Sequence, residues 1–344
     1  MLELSQSEEL LINELLEKSV SQKKIAPLKI EKIVKLSGDA STRKYYRIFS
    51  AGKNFVACID SPENLTKENF NFLTTQKILH QSGVNVPEIY DSKTSRGYVL
   101  MQDLGDETLL TQNARLSGLA EEETNYKYIV DELFKIHTVK KESNELHSLF
   151  SQEFDFEKFS WEINFTSKNL IQGYLKNPNQ ELVAEINELF RPIIDRILKI
   201  KKIPVHRDFH SRNIMLSEQK YYIIDFQDAR QGPVQYDLVS LLEDAYFQVQ
   251  RSCRYRVQEY FYKMLKAEKL INNDFEEFIY EYEQCAIQRI YKAIGTFCYI
   301  FIERGDDRYI RYVHNCFERL KSILYRYDEY KDLRKKLSEA YYQY

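Results

Sequence analysis

The pattern of hydrophobic and polar positions changes several times along the first hundred residues. Residues 5–18 have apolar side chains at helical spacing behind a Ser5 and Glu8 pair at capping-box spacing, which predicts a short amphipathic helix packed on the domain behind it. Three β-type runs follow over residues 29–60 and predict an antiparallel meander. Helical spacing returns over residues 66–81, and two further strand-like runs precede Asp103. The order after the first helix is therefore β-β-β-α-β-β.

Beyond Asp103 the spacing of apolar residues is mostly helical. Helices are expected near residues 121–137, 154–174, 181–200 and 234–250 and in a long aromatic-rich C-terminal stretch. A β-rich interruption at residues 203–226 predicts short hairpin-like strands that present polar loops at one edge. These patterns predict an α+β chain with an N-terminal lobe at residues 1–103 and a helical C-terminal lobe at residues 104–344.

Composition narrows the class of protein. The 344 residues are 43% hydrophobic and 29% charged, with a net charge of −3, so no positive field is available to bind a phosphate backbone and no nucleic-acid partner is expected. The five cysteines are scattered, and the N-terminus lacks the pattern of a signal peptide. No apolar run approaches the roughly 18 residues of a membrane span. A soluble, cytoplasmic protein with no membrane partner is expected.

The stretch VHRDFHSRN at residues 205–213 carries the clearest chemical signal. Asp208 and Asn213 are five positions apart, and Asp225 follows on the next strand, as in kinase catalytic loops. Phosphoryl transfer needs a carboxylate that orients the attacking hydroxyl and oxygen ligands that hold Mg²⁺. The spacing predicts Asp208 as the catalytic base and Asn213 and Asp225 as metal ligands. The plainer alternative is that Asp208 and Asp225 only cap turns.

The segment after Asp225 indicates the kind of acceptor. Only twelve positions separate Asp225 from Asp237, where a helix begins, so there is no room for the activation segment and A-P-E motif of a protein kinase. This favours a small-molecule acceptor such as a sugar, an aminoglycoside or an amino alcohol.

The motifs together resemble the aminoglycoside phosphotransferase superfamily. The resemblance rests on the catalytic loop, on IDFQDARQGP at residues 224–233 and on YDLVSLL at residues 236–242. The motifs GDAS at residues 38–41, HSRN at residues 210–213 and FQDA at residues 226–229 are similar to its cell-wall-recycling branch, the anomeric N-acetylmuramate/N-acetylglucosamine kinases. The resemblance implies a bilobal, protein-kinase-like fold, ATP and Mg²⁺ as cofactors, and phosphorylation of the anomeric hydroxyl of an N-acetylated amino sugar.

The nucleotide is expected to contact two segments of the N-terminal lobe. The loop SGDAST lacks a glycine-rich signature, so it would grip phosphates through backbone N–H groups, the hydroxyls of Ser41 and Thr42, and the charge of Arg43. An ordinary hairpin turn is the alternative. Met101 and Asp103 stand where kinase-like folds bind adenine through the backbone that connects the lobes.

Other residues are assigned from their position near the catalytic loop. His210, Arg212, Gln227 and Asp228 could face the acceptor, although bracing of the loop or a turn would explain them equally well. Arg289 in the late helix could also face the acceptor, but a surface position or an ion pair is the simpler interpretation. In addition, the superfamily pattern implies that Asp237 braces the catalytic loop from the following helix, and the only tryptophan, Trp161, is expected in the core rather than at a sugar.

The chain departs from the kinase pattern on the strand FVACID, which carries no lysine to pair with the phosphates. Lys53, Arg43 or Arg47 could substitute for it. Two alternatives to an amino-sugar kinase therefore stay open. One is a kinase of another small alcohol, such as an aminoglycoside, a choline-like alcohol or a different sugar, and the other is a catalytically silent nucleotide-binding regulator.

Overall fold

A computed structural model describes residues 5–36, 43–60, 71–141 and 148–343 of the chain. Two compact units are distinguished. The first comprises Met1–Glu107 and Ile214–Gln227, and the second comprises Thr108–Asn213 and Asp228–Tyr344. The predicted lobes are divided once, after Asp103, whereas the first unit also takes in a segment from the middle of the chain.

The first unit contains the predicted β-β-β-α-β-β order behind a leading helix. Its antiparallel five-stranded sheet has the order β1-β2-β3-β5-β4. Ile12 and Leu15 on the inner face of α1 pack into one core with Tyr46 and Ile48 of the sheet, as the amphipathic pattern predicts. The elements are α1 (Gln6–Ser21), β1 (Ile30–Leu36), β2 (Lys44–Ser50), β3 (Phe55–Ile59), α2 (Asn71–Gln81), β4 (Ile89–Lys93) and β5 (Tyr98–Gln102).

The second unit is mainly helical, also as predicted. Its first helices are α3 (Leu109–Asn113), α4 (Leu119–His137), α5 (Ser148–Ser151), α6 (Phe156–Ser167) and α7 (Gln180–Ile197). A π-helical stretch, Lys168–Tyr174, continues α6. The later helices are α8 (Tyr236–Leu242), α9 (Arg251–Ala267), α10 (Phe275–Arg304), α11 (Val313–Leu324) and α12 (Lys331–Tyr342). None of the helices in the described residues is long and apolar enough to cross a bilayer.

The β-rich interruption forms two separate antiparallel pairs. Strand β6 (Lys202–Val205) pairs with β9 (Arg230–Pro233) in the second unit. Strands β7 (Ile214–Ser217) and β8 (Lys220–Ile223) form a hairpin in the first unit, where the Ile223 N–H donates to the Asn85 carbonyl at 2.8 Å. The residues between β6 and β7 make up the catalytic-loop motif.

The helix expected over residues 234–250 is much shorter in the structure, so this prediction is wrong beyond Leu242. The reason is that the side chain of Asp244 competes with the helix for backbone hydrogen bonds. Asp244 accepts hydrogen bonds from the backbone N–H groups of Tyr246 and Ser211, both at 2.8 Å, and so stabilises a turn instead of a further helical turn. The chain consequently turns away beside the catalytic loop.

Candidate active site

Asp237, at the start of α8, forms hydrogen bonds with the backbone of the catalytic loop. Its two carboxylate oxygens accept hydrogen bonds from the backbone N–H groups of His206, at 2.6 Å, and Arg207, at 2.9 Å. The ring of His137 lies 3.3 Å away, and all of the Asp237 side chain is buried. Arg207 has a φ of +84°, a left-handed backbone that is strained for a residue with a Cβ. Asp237 therefore braces the loop, in agreement with the sequence prediction.

Asp208 is surrounded by positive charge. Its Oδ1 lies 3.5 Å from Arg289 Nη2 and 3.7 Å from Lys292 Nζ, while its Oδ2 lies 3.9 Å from Arg207 Nε. Burial on its own would raise the pKa of Asp208, but these three cations hold that pKa well below its usual range. Asp208 is therefore a carboxylate at neutral pH and can accept a hydrogen bond from a hydroxyl.

A second carboxylate lies behind this cluster. Glu162 on α6 has 2% of its side chain exposed, and its Oε2 accepts a hydrogen bond from Gln288 Nε2 at 2.8 Å. Its Oε1 is 3.9 Å from Lys292 Nζ and 3.7 Å from Lys158 Nζ. Lys292 thus lies between two carboxylates, and burial lowers its pKa although both carboxylates oppose that shift.

A cavity of about 270 Å³ opens next to these groups within the second unit. Its charged wall includes Asp208, Arg289 and Lys292, and its aromatic wall includes Tyr246 and Phe297. Its size suits a small molecule better than a peptide, and a mixture of apolar surface with a few polar groups is typical of ligand sites.

The proposed acceptor residues occupy different environments. His210 and Arg289 line the cavity, and Arg289 Nε also donates to Ser240 Oγ at 3.0 Å. Arg212 Nη1 donates to the Tyr309 hydroxyl at 2.9 Å, and its guanidinium lies 5.1 Å from the centre of the Tyr246 ring. Asp228 accepts a hydrogen bond from Arg207 at 2.8 Å and is 53% exposed. In the first unit, Gln227 Nε2 donates to Asp225 Oδ1 at 2.7 Å.

The two expected metal ligands lie in different units. Asn213 Nδ2 donates to the Asp208 carbonyl at 2.9 Å, so Oδ1 is the atom that Asn213 can offer to a cation. Asp225 has a φ of +64°, a strained conformation that is common at functional positions. Within the described residues no group of three or more His, Cys, Asp or Glu side chains forms a protein-only metal site. A Mg²⁺ ion needs no such group, because it binds through one or two protein oxygens together with substrate phosphates and water.

The connecting segment after β5 is held by Arg47. Its Nε is 2.9 Å from the Asp103 carboxylate, its Nη1 is 2.7 Å from Asp106, and its Nη2 donates to the Gly105 carbonyl at 2.7 Å. Met101 is buried in β5. Because its guanidinium makes all three contacts, Arg47 is poorly suited to replace the missing phosphate-binding lysine.

Arg43 lies elsewhere in the first unit, with its Nε 3.6 Å from Asp60 Oδ2. Its guanidinium lies 5.7 Å from the centre of the Phe72 ring, and Phe72 stacks at 5.1 Å on Phe226, the residue after Asp225. Burial raises the pKa of Tyr45. The charge of Arg43 opposes this shift and the charge of Asp225 adds to it, so both charged groups act on the Tyr45 hydroxyl. Ser41 and Thr42 lie outside the described residues, and Lys53 lies over the Tyr90 ring at 4.5 Å.

Asp208, Arg289, Lys292 and Glu162 form a charged cluster. Sequence reasoning missed two of these residues. Lys292 lies far downstream of the catalytic loop, and the only available signal was its helical spacing from Gln288 and Arg289. Glu162 belongs to no motif in the sequence. The expectation that Trp161 is a core residue is wrong: it is 56% exposed, with its ring stacked on Phe165, whereas Glu162 on the same helix is buried.

Comparison with known proteins gives matches over most of the chain. The model of the phosphotransferase enzyme family matches residues 32–267. A Neisseria meningitidis serogroup B protein named N-acetylmuramate/N-acetylglucosamine kinase is 29% identical over 298 residues, which cover 85% of this chain and 86% of that protein. A Pseudomonas aeruginosa protein of the same name is 28% identical over 306 residues, which cover 88% of this chain and 86% of the relative.

Solved structures with the same architecture confirm the predicted protein-kinase-like fold. A choline kinase from Streptococcus pneumoniae has a TM-score of 0.59 at 17% identity, with 91% of this chain and 99% of that chain covered. An ADP-bound aminoglycoside phosphotransferase has a TM-score of 0.59 at 16% identity, with 95% and 98% covered.

Proposed function

Since this chain belongs to the phosphotransferase enzyme family, we propose that it transfers the terminal phosphoryl group of ATP to the anomeric hydroxyl of an N-acetylated amino sugar, N-acetylmuramate or N-acetylglucosamine. The observation that carries the proposal is the ionised Asp208 carboxylate on the wall of a cavity of small-molecule size. The names of the two relatives support an amino sugar as the acceptor. The product would be a sugar 1-phosphate.

Asp208 orients the acceptor and takes its proton. The acceptor hydroxyl donates a hydrogen bond to the carboxylate, and its oxygen then forms a bond to the terminal phosphorus of ATP while the bond from that phosphorus to the bridging oxygen breaks. The hydroxyl proton moves to Asp208, and ADP leaves. An anomeric hydroxyl is more acidic than an ordinary alcohol, so its proton is more easily transferred to a carboxylate.

The cofactor proposal combines the motif with the local contacts. ATP would contact the backbone near Met101 and Asp103, with Ser41, Thr42 and Arg43 toward its phosphates. Arg43 is the cation that we assign in place of the missing strand lysine, because it lies beside the aromatic pair that includes the residue after Asp225. Asn213 and Asp225 would supply oxygen ligands to Mg²⁺, which offsets phosphate charge when bound.

The acceptor would occupy the cavity in the second unit. Among the residues that line it, Tyr246 and Phe297 offer aromatic rings to a sugar, and Arg289 and His210 offer hydrogen-bond donors. Gln227 and Asp228, next to the proposed metal ligand Asp225, stay candidates for hydrogen bonds to the sugar.

The experiment is ADP formation by purified protein with N-acetylmuramate, N-acetylglucosamine, other hexoses, choline and kanamycin, together with phosphorus NMR of the product. We expect turnover that depends on the amino sugar and a product phosphate coupled to the anomeric proton, and we expect kcat to be about a hundredfold or more lower in Asp208→Asn. Turnover with only choline or kanamycin would mean that the acceptor is another alcohol and not an amino sugar. Absence of turnover with every acceptor, despite binding of ATP with Mg²⁺, would favour the silent regulator.

A further inference from the structure

The helix α10 presents three polar side chains to the carboxylates of Asp208 and Glu162. Gln288 and Lys292 are one helical turn apart and both approach Glu162 of α6, while Arg289 and Lys292 both approach Oδ1 of Asp208. Lys292 is the member that reaches both carboxylates. Its Nζ is 3.7 Å from Asp208 and 3.9 Å from Glu162.

This lysine is unusual in its surroundings. Only 14% of its side chain is exposed, and lysine is rarely buried unless it is paired. Glu162 is more deeply buried still and is oriented by the hydrogen bond from Gln288. A buried carboxylate behind the lysine compensates its charge and keeps the ammonium group directed at Asp208.

The geometry also distinguishes the two oxygens of Asp208. The shortest contacts from α10, those of Arg289 and Lys292, are both to Oδ1, whereas the shortest contact of Arg207 is to Oδ2, at 3.9 Å. Oδ1 is therefore the anchored oxygen, and Oδ2 is the oxygen better placed to accept a hydrogen bond from the acceptor hydroxyl.

We propose that Lys292 is a positioning residue for phosphoryl transfer, whose ammonium group, held by Glu162, anchors Oδ1 of Asp208 and keeps that carboxylate turned toward the cavity. The proposal rests on the proposed function, since it gives Asp208 the role of the base. Lys292 acts through Asp208, and the acceptor need not contact it.

Several charged groups share this environment. Those that face Asp208 are Arg207 and His210 from its own loop and Arg289 and Lys292 from α10. Those that face Lys292 are Asp208, Glu162, Arg289 and Arg207. Two guanidinium groups thus remain beside Asp208 when Lys292 is replaced, so the expected effect is a partial loss and not an abolition.

The kinetic experiment compares Lys292→Met, Lys292→Arg and Glu162→Gln with the unchanged protein. Lys158→Met is the matched control, because Lys158 approaches the same Glu162 oxygen at 3.7 Å but makes no ion pair with Asp208. For Lys292→Met we expect kcat to fall about tenfold or more, with KM for ATP and for the acceptor changed less than about threefold. Lys292→Arg should recover most of that loss, Glu162→Gln should show a smaller loss, and Lys158→Met should keep kcat within about twofold.

Three kinetic outcomes would overturn the proposal. They are an unchanged kcat in Lys292→Met, a loss confined to the KM of the acceptor, and an equal loss in Lys292→Arg, which would mean that the charge is not what matters. Thermal unfolding of each variant identifies any loss of fold, and Lys292→Arg, which keeps the charge, still tests the role if Lys292→Met does not fold.

An NMR spectrum at neutral pH tests Lys292 without any acceptor, so that failure of the proposed function is recognised separately. Carboxyl carbon NMR of protein with labelled aspartate detects Asp208, whose signal is assigned by its absence in Asp208→Asn. Loss of the contact in Lys292→Met should shift this signal, while Lys158→Met should leave it in place. An Asp208 signal that is unchanged in Lys292→Met would contradict the proposal even if the amino-sugar assay fails.

Discussion

At the residue scale, the catalytic loop depends on a buried carboxylate that does no chemistry itself. Asp237 satisfies two consecutive backbone N–H groups, and one of them belongs to Arg207, whose positive φ is strained. Removal of a buried acceptor leaves a donor unsatisfied, which is more costly than the loss of an exposed ion pair. The conformation of the loop therefore depends on Asp237.

The replacement Asp237→Asn tests this point. An amide has one acceptor oxygen in place of two, so we expect the free energy of unfolding in urea to fall by about 1–3 kcal/mol. The control is Asp228→Asn, which removes only the ion pair of a 53% exposed side chain with Arg207 and should cost about 0–1 kcal/mol. Equal losses in the two variants would count against the bracing role of Asp237.

At this scale, sequence patterns predict the residues that share one motif. The spacing in the catalytic loop identified Asp208 as a candidate, and the superfamily pattern implied the bracing by Asp237. Lys292 and Glu162 were missed because their relation to Asp208 is created by the packing of α6 and α10, which no local pattern encodes. The roles of Asp208, Asn213 and Asp225 in the reaction stay predictions.

At the element scale, a glycine allows α6 and α10 to come close enough to form the charged cluster. A Cβ on Gly295 of α10 would lie 2.6 Å from the Cα of Thr166 on α6, closer than real Cβ atoms come to backbone. Gln288 and Lys292 lie on the same helix, so the spacing of these two helices also sets the distance from Lys292 to Glu162. The hydrophobic pattern predicted these helices but could not predict their separation.

The replacement Gly295→Ala should therefore push the two helices apart. We expect a loss of about 1–3 kcal/mol from overpacking, reduced by the roughly 1 kcal/mol that alanine adds to helix propensity, and a fall in kcat as Glu162 moves from Lys292. Urea unfolding and steady-state kinetics measure the two effects. Gly173→Ala is the control, since its added Cβ meets only the flexible tip of Ile302, at 2.5 Å. A Gly295→Ala protein that is as stable and as active as Gly173→Ala would show that the close approach is unimportant.

At the scale of the whole molecule, the division into a β-rich N-terminal part and a helical remainder followed from the periodicity of the sequence. The strand pairings of the β-rich interruption did not, because β6 pairs with β9 across the loop and hairpin between them. Pairings between distant segments depend on tertiary packing, whereas hairpins are marked by local turns. The first unit likewise takes in Ile214–Gln227, although that segment follows the catalytic loop in the chain.

The central claim is that Asp208 is the base of a phosphoryl transfer, and the turnover of Asp208→Asn tests it most directly. With the best acceptor, we expect kcat to fall by about a hundredfold or more, while calorimetry gives an affinity for ATP with Mg²⁺ within about threefold of the unchanged protein. The control Asp131→Asn makes the same substitution at a carboxylate that accepts a hydrogen bond from Tyr260 on α9, and it should keep full activity. An Asp208→Asn protein that folds, binds ATP and turns over at nearly the unchanged rate would contradict the assignment of Asp208 as the base.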